Sequence, residues 1–277
     1  MTELHLRALR GRNPLGLFAA LGVLDACTRC HPEWDVRLRW TAEIDPTAIL
    51  AGPPSVDAVI ETCDHERKRW GSSSILTWGP NGSVLLDLKP HRSVLRKWLE
   101  ALVANYRVSG DRTDLDLMAA LLAEGAVAGT NDAKPSHFHF TAGQQKFLVM
   151  VRELQANVDA ERIREALVGP WRYDSPLPVL GWDSRGERIY ALRGFNPATE
   201  KKLGVPGADW LAFLGLRFFP VNVWTGPSGR PQLRRILAVV GVADGADRSN
   251  GTGVGDTVRV ADRSVLAGLI HQYRIAA

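Results

Sequence analysis

The residues of this chain best suited to chemistry are a pair of thiols three apart, Cys27-Thr28-Arg29-Cys30-His31. Two cysteines and a histidine at this spacing are the attachment site of a c-type haem. That chemistry takes place outside the cytoplasm. Met1–Arg12 alternates polar and apolar residues, with no long apolar run before a small-residue cleavage site, so a cytoplasmic setting is expected. The same pair could hold zinc with Cys63 and His65, because thiolate and imidazole suit a tetrahedral site. Cys63-Asp64-His65 is an unusual second half-site, however. Cys27 and Cys30 fall in a segment that reads as core helix, where a thiol behaves as a small hydrophobe. Core packing is the reading taken, with Cys27, Cys30, Cys63 and His65 as the alternative metal set and no cofactor expected.

Other constellations are thinner. His137 and His139 would share one face of a strand, but no carboxylate or third histidine stands nearby. Asp87-Leu88-Lys89, after an apolar run, resembles the acidic-x-Lys end of a metal-dependent nuclease strand, with Glu61 or Asp64 as the second carboxylate holding Mg²⁺. Gly251-Thr252-Gly253-Val254-Gly255 lacks the lysine of a phosphate-binding loop, and Ser184 has no recognisable nucleophile elbow. No enzyme active site assembles from these pieces.

Basic and aromatic residues are more suggestive. Trp171, Arg172, Tyr173, Trp182, Arg185, Arg188, Tyr190 and Arg193 fall in one short stretch, followed by Lys201 and Lys202. Arg230, Arg234 and Arg235 form a second group beside Trp224. Arginine neutralises phosphate and rings stack on bases, which is the chemistry of nucleic-acid binding. The competing reading makes the tryptophans core and the arginines solvated. The formal charge is only +4, so clustering counts for more than the total.

These side chains need elements to hold them. The chain has 277 residues, 45% hydrophobic and 23% charged, enough for a real core in one large domain or two modest ones. Three cysteines make no disulfide framework. The longest apolar stretches, Leu15–Leu24 and Ile236–Val242, fall short of the roughly 20 residues of a membrane span.

Leu4, Leu6 and Ala8 alternate with His5, Arg7 and Leu9 as in a half-buried strand. Asn13 and Pro14 then open an apolar helix to about Cys30. Val36–Trp40 and Ser83–Leu88 read as strands, and helices are expected over Val56–Trp70, Ser93–Tyr106, Leu115–Leu122, Gln144–Asn157 and Asp159–Val168. Strand candidates follow at Arg188–Arg193, Leu216–Val223, Leu233–Val242 and Thr257–Val260, with a last helix over Ser264–Tyr273. The mixture predicts a compact α+β fold. Gly125–Pro135 reads as a flexible loop that could join sub-lobes 1–124 and 136–277; a single domain fits as well.

Four segments in order carry a family resemblance. Gly11–Leu24 resembles the N-terminus of type I-G (formerly I-U) CRISPR-associated proteins, and Phe140–Leu148 their central "aGxQxFL" segment. Trp171–Asp174, Leu180–Asp183 and Arg188–Arg193 are similar to their "pW.Y.D…lrWDp…RrYALr" stretch, and Leu211–Pro220 to a later "LA..gl..fP" segment. The likeness spans roughly Leu4 to Val242. It implies an antiviral-defence protein, a non-catalytic subunit of a type I CRISPR interference complex encoded near the helicase-nuclease. It carries no catalytic residues across.

The expected partners are guide RNA, target DNA or both, together with other effector subunits or the helicase-nuclease, and no membrane. Contacts are expected at Arg185, Arg188, Arg193, Arg230, Arg234 and Arg235. Gln144 and Gln145 would add to them at a helix start whose amides favour phosphate. A protein–protein adaptor without nucleic-acid contact and a metal-dependent nuclease are the alternatives.

Overall fold

The structure, a computed structural model, describes residues 2–141, 145–184, 203–225, 231–235, 241–242 and 258–259. β1 (Glu3–Arg10) buries Leu4 and Leu6 and exposes His5 and Arg7. α1 (Pro14–Cys30) follows, its start fixed by Asn13, whose side-chain oxygen accepts from the Leu15 amide at 3.1 Å. β2 (Arg37–Trp40) and β3 (Thr47–Ala51) lead into α2 (Val56–Trp70), capped by Ser55. Next come α3 (Ser74–Thr77), α4 (Arg92–Ser109), α5 (Thr113–Leu121), α6 (Phe147–Asn157), α7 (Ala160–Val168) and α8 (Pro206–Gly215). Four short strands close the described chain: β4 (Val221–Thr225), β5 (Pro231–Arg235), β6 (Gly241–Val242) and β7 (Val258–Arg259).

The expected α+β class holds. The main sheet has the order β1-β3-β2-β7-β6, and β4 pairs with β5 separately. β3 lies between β1 and β2, antiparallel to both. β1 and β2 therefore run parallel with α1 crossing between them, a split βαβ arrangement. Strict alternation fails in β1. Its pairing jumps from Leu6↔Ala48 to Arg10↔Thr47, so the strand bulges, Leu9 turns into the core and Ala8 is left half-buried.

α8 is the core's centre and had no counterpart in the sequence reading. All its residues are buried, so it shows no amphipathic period, and its opening Pro206-Gly207 resembles a break. β3 was hidden in the same way: TAILA is buried throughout and runs into Gly52-Pro53-Pro54. Ser83–Leu88 forms no strand, and α6 starts at Phe147 rather than Gln144. The Leu216–Val223 candidate divides into a 3-10 turn, Leu216–Phe218, and β4. Segments 188–193 and 264–273 lie outside the described residues.

One buried cluster draws on the inner face of the sheet and on helices from α1 to α8, running from Leu4 to Leu216. Gly125–Pro135 is stitched by backbone hydrogen bonds, among them Ala128 N to Asp132 O at 2.8 Å and Ala133 N to Pro90 O at 2.8 Å. A buried chain of alternating charges ties the helices together. Glu66 of α2 meets Arg69 at 3.0 Å and Arg29 of α1 at 2.5 Å, and Arg29 meets Asp25 at 3.0 Å. Asp25 meets Arg217 at 2.5 Å, and Arg217 reaches Asp116 of α5 at 3.0 Å. Among the described residues no helix is long and apolar enough to cross a membrane.

Candidate nucleic-acid interface

The bulge of β1 opens one wall of a cleft of about 780 Å³. Arg7, Ala8, Arg10, Arg12 and Asn13 line that side. Val168, Gly169, Pro170, Trp171 and Tyr173, in the chain leaving α7, line the other. Asp45 and Ser184 complete it. Among the described residues, three arginines thus share the cleft with one carboxylate. Arg10 reaches Asp45 at 3.3 Å, both half-exposed, an ion pair of the kind that contributes little. Arg7 and Arg12 are exposed and have no ion pair with a described residue.

The aromatic wall is held from behind. Glu165 of α7, with a side chain 9% exposed, accepts from the Arg172 amide at 2.8 Å and from its guanidinium at 2.8 Å. Burial pushes the Glu165 carboxyl up, and these contacts more than offset it, leaving it below its ordinary value. Arg172 is occupied there, while its neighbours Trp171 and Tyr173 line the cleft. The Trp171 ring is fixed by its Nε1 donating to Ala166 O at 3.1 Å. Its centroid lies 6.1 Å from that of Tyr173, edge to face at 69°. Tyr173 has φ 56, a left-handed conformation costly for a bulky side chain and typical of positions held for a purpose.

The start of α1 closes the end of the cleft near Ser184. The Leu15 amide is shared between Asn13 Oδ1 and Trp182 O, each at 3.1 Å, and Asn13 Nδ2 donates to Asp183 at 2.9 Å. Trp182 itself is core: it is 2% exposed, donates to Phe138 O at 2.9 Å and meets the Phe18 ring edge-on.

Of the residues expected to contact nucleic acid, Gln144, Arg185, Arg188, Arg193 and Arg230 lie outside the described residues. The backbone of Arg234 and Arg235 runs in β5, in register with Asn222 and Val221. Gln145 is exposed just before α6. The first amides of α6 already have acceptors: Phe147 N donates to Asp87 Oδ1 at 3.2 Å, and Leu148 N and Val149 N to Leu86 O at 3.1 and 3.3 Å. The anion at this helix start is Asp87.

The cysteines come together without forming the expected four-ligand set. Cys27 and Cys63 are fully buried, and the hydrogen bond between their thiols, then burial, pushes Cys63 well up. His65, two positions after Cys63 on a helix, emerges on the opposite side, exposed. It groups instead with Cys30 and Glu66, their ligand atoms within 4.8 Å of one another. Burial and the Glu66 carboxylate push the Cys30 thiol up to about 12, and Glu66 is already held by Arg29 and Arg69. A metal would need the thiolate and a free carboxylate. His31 stacks on Trp34 at 3.8 Å and pairs with Glu33, away from the haem geometry.

The nuclease pattern and the paired histidines also resolve into local structure. Asp87 Oδ1 lies 2.8 Å from His139 Nε2 and 2.9 Å from the Leu88 amide, besides capping α6. Burial raises the Asp87 carboxyl, but these contacts bring it below its ordinary value. His137 is exposed while His139 is enclosed, and neither lies on a strand. Asp64 is tied to Arg67 and Lys68, and Glu61 and Lys89 are exposed.

Sequence reasoning missed Arg7, Arg10 and Arg12. Their signal was present in LRALRGR, three arginines within six positions at the end of a strand, beside a glycine. Compared with known proteins, the chain matches no family model, no curated protein and no solved structure.

Proposed function

We propose that this chain is a non-catalytic subunit that binds nucleic acid through the cleft between β1 and the segment after α7, as a component of a type I CRISPR interference complex. The observation that carries the reading is the cleft's composition: Arg7 and Arg12, unpaired with any described carboxylate, face a fixed Trp171–Tyr173 pair. Phosphates reward unpaired arginines, and rings reward bases. The CRISPR assignment rests on the resemblance of the four sequence segments, one of which, Trp171–Asp174, supplies the aromatic wall.

A second reading, a protein adaptor, is favoured by one surface. Leu86 is 52% exposed beside Val149 at 38%, joined through the Leu86 carbonyl, with Val84 close in sequence at 42%. A nuclease centred on Asp87 is the weakest of the three, because one oxygen of that carboxylate serves three hydrogen bonds within the chain.

The test is binding of the purified chain to labelled single-stranded RNA, single-stranded DNA and duplex DNA across a salt series with Mg²⁺ present. The expected outcome is log affinity falling linearly with log salt, with intact probes. No binding at low salt would shift the reading to the adaptor, and probe cleavage would shift it to the nuclease.

A further inference from the structure

We infer that the cleft selects single-stranded over duplex nucleic acid, by taking an unstacked base against Trp171 and Tyr173 while Arg7 and Arg12 hold the flanking phosphates. This rests on the nucleic-acid reading of the same cleft and goes beyond it in naming the form of the ligand.

Three features point to a base rather than to phosphates alone. Arginines would serve a phosphate equally well beside any neighbours, yet here they share an open cleft of about 780 Å³ with two aromatic side chains. The opposite wall is aromatic: the Trp171 and Tyr173 rings lie 6.1 Å apart at 69° to one another, and an aromatic ring is a surface on which a base can stack. The wall is also preformed: Glu165 holds the Arg172 backbone and Ala166 O holds the Trp171 indole, so binding need not order it.

A duplex keeps its bases stacked inside and offers phosphates outside. It can use the arginines but not the rings. The cleft's one carboxylate, Asp45, repels phosphate and leaves hydrogen-bond acceptance as its use toward a ligand, such as from a base amino group or a ribose hydroxyl.

The experiment compares wild-type protein on four probes with the same number of phosphates: single-stranded RNA, single-stranded DNA and abasic single-stranded DNA of one length, and a duplex of half that length. The abasic strand keeps every phosphate and lacks the rings to stack. The expected result is at least fivefold tighter binding of the base-bearing strands than of the abasic strand, within the range of one stacked base. Tyr173→Leu, which keeps the Trp171 ring, should lower that ratio at least twofold while leaving the salt dependence unchanged.

Equal affinity for base-bearing and abasic strands, or a duplex bound as tightly as a single strand, overturns this inference and leaves the nucleic-acid reading standing. Failure to bind any probe at low salt removes both. Tighter binding of RNA than of DNA would assign Asp45 to the ribose hydroxyl, and equal binding would remove that assignment; the inferred base stacking holds in either case. The wild-type comparison needs no variant, so a destabilised Tyr173→Leu would not leave the matter open.

Discussion

Gly22 in α1 and Gly215 in α8 meet backbone to backbone. A Cβ on Gly215 would lie 2.9 Å from the Gly22 amide nitrogen and 2.0 Å from Phe18 O, and one on Gly22 would lie 1.9 Å from Leu211 O. No side chain fits at this crossing, which joins the helix after β1 to the helix that fills the core. Both glycines fall in segments that carry the family resemblance, and close packing is sufficient reason for them.

Gly22→Ala and Gly215→Ala should therefore each destabilise the fold by about 3 kcal/mol or more, since backbone rather than a yielding side chain blocks the methyl group. Gly129→Ala is the control, because a Cβ there meets nothing within 4 Å. Thermal denaturation checks this. Similar melting temperatures for all three variants would mean that the two helices cross differently.

Glu66 is the hub of the buried charge chain. Burial pushes its carboxyl up, but Arg69 and Arg29 bring it down to about 2 from an ordinary value of 4.5. A depressed carboxyl contributes stability that is complete above about pH 4.5 and lost as the pH falls toward 2. Glu66→Gln should cost about 3–5 kcal/mol at neutral pH, because Arg29 is left buried beside fewer charges. It should also flatten the acid limb of the stability curve, measured by urea denaturation between pH 2 and 7.

Asp209 shows the opposite sign. It is fully buried at the start of α8, accepts from the Leu180 amide at 3.0 Å through one oxygen, and has no hydrogen-bond partner for the other among the described residues. Burial raises it to about 7 from 3.8. Its protonated form supports the fold fully below about pH 3.8, and that support is lost as the pH rises through about 7. Asp209→Asn should raise the melting temperature at pH 8 and flatten the decline between pH 4 and 8. A decline as steep as that of wild type would remove Asp209 as its source.

Asp45→Asn removes the one carboxylate from the cleft and releases Arg10. Asn keeps an acceptor oxygen and loses only the charge, so nucleic-acid binding should tighten about threefold at low salt, with the gain shrinking at high salt as screening shortens the reach of the charge. Fluorescence anisotropy reads this directly. Unchanged binding would place Asp45 away from the phosphates.

Much of the framework was legible in the residues. The Asn13-Pro14 cap set the start of α1, the helices expected over Val56–Trp70 and Asp159–Val168 are α2 and α7, and the amphipathic spacing of Leu95, Trp98, Leu99 and Leu102 gave α4. What stayed hidden shares a physical cause. α8 and β3 are buried on all sides, so periodicity, which reports a contrast between faces, had nothing to report. The cleft was half legible. Trp171 and Tyr173 were marked as candidate stacking rings and line the cleft, but Trp182, marked with them, is core, because residue type does not show how deeply a ring is buried. Of the β1 arginines, Arg7 was read only as part of an alternating strand and Arg10 was not singled out. Their place in the cleft goes with the bulge after Leu6, a property of the pairing with β3 that no local pattern in β1 records.

The most direct test of the central claim is the salt dependence of single-strand binding by wild type and by the double variant Arg7→Gln, Arg12→Gln. Each phosphate contact adds about 0.7 to the slope of log affinity against log salt for a single strand. The account predicts a slope shallower by about 1.4 in the double variant, with weaker binding at low salt. A slope and affinity equal to those of wild type would contradict it, and would place any nucleic-acid contact outside this cleft.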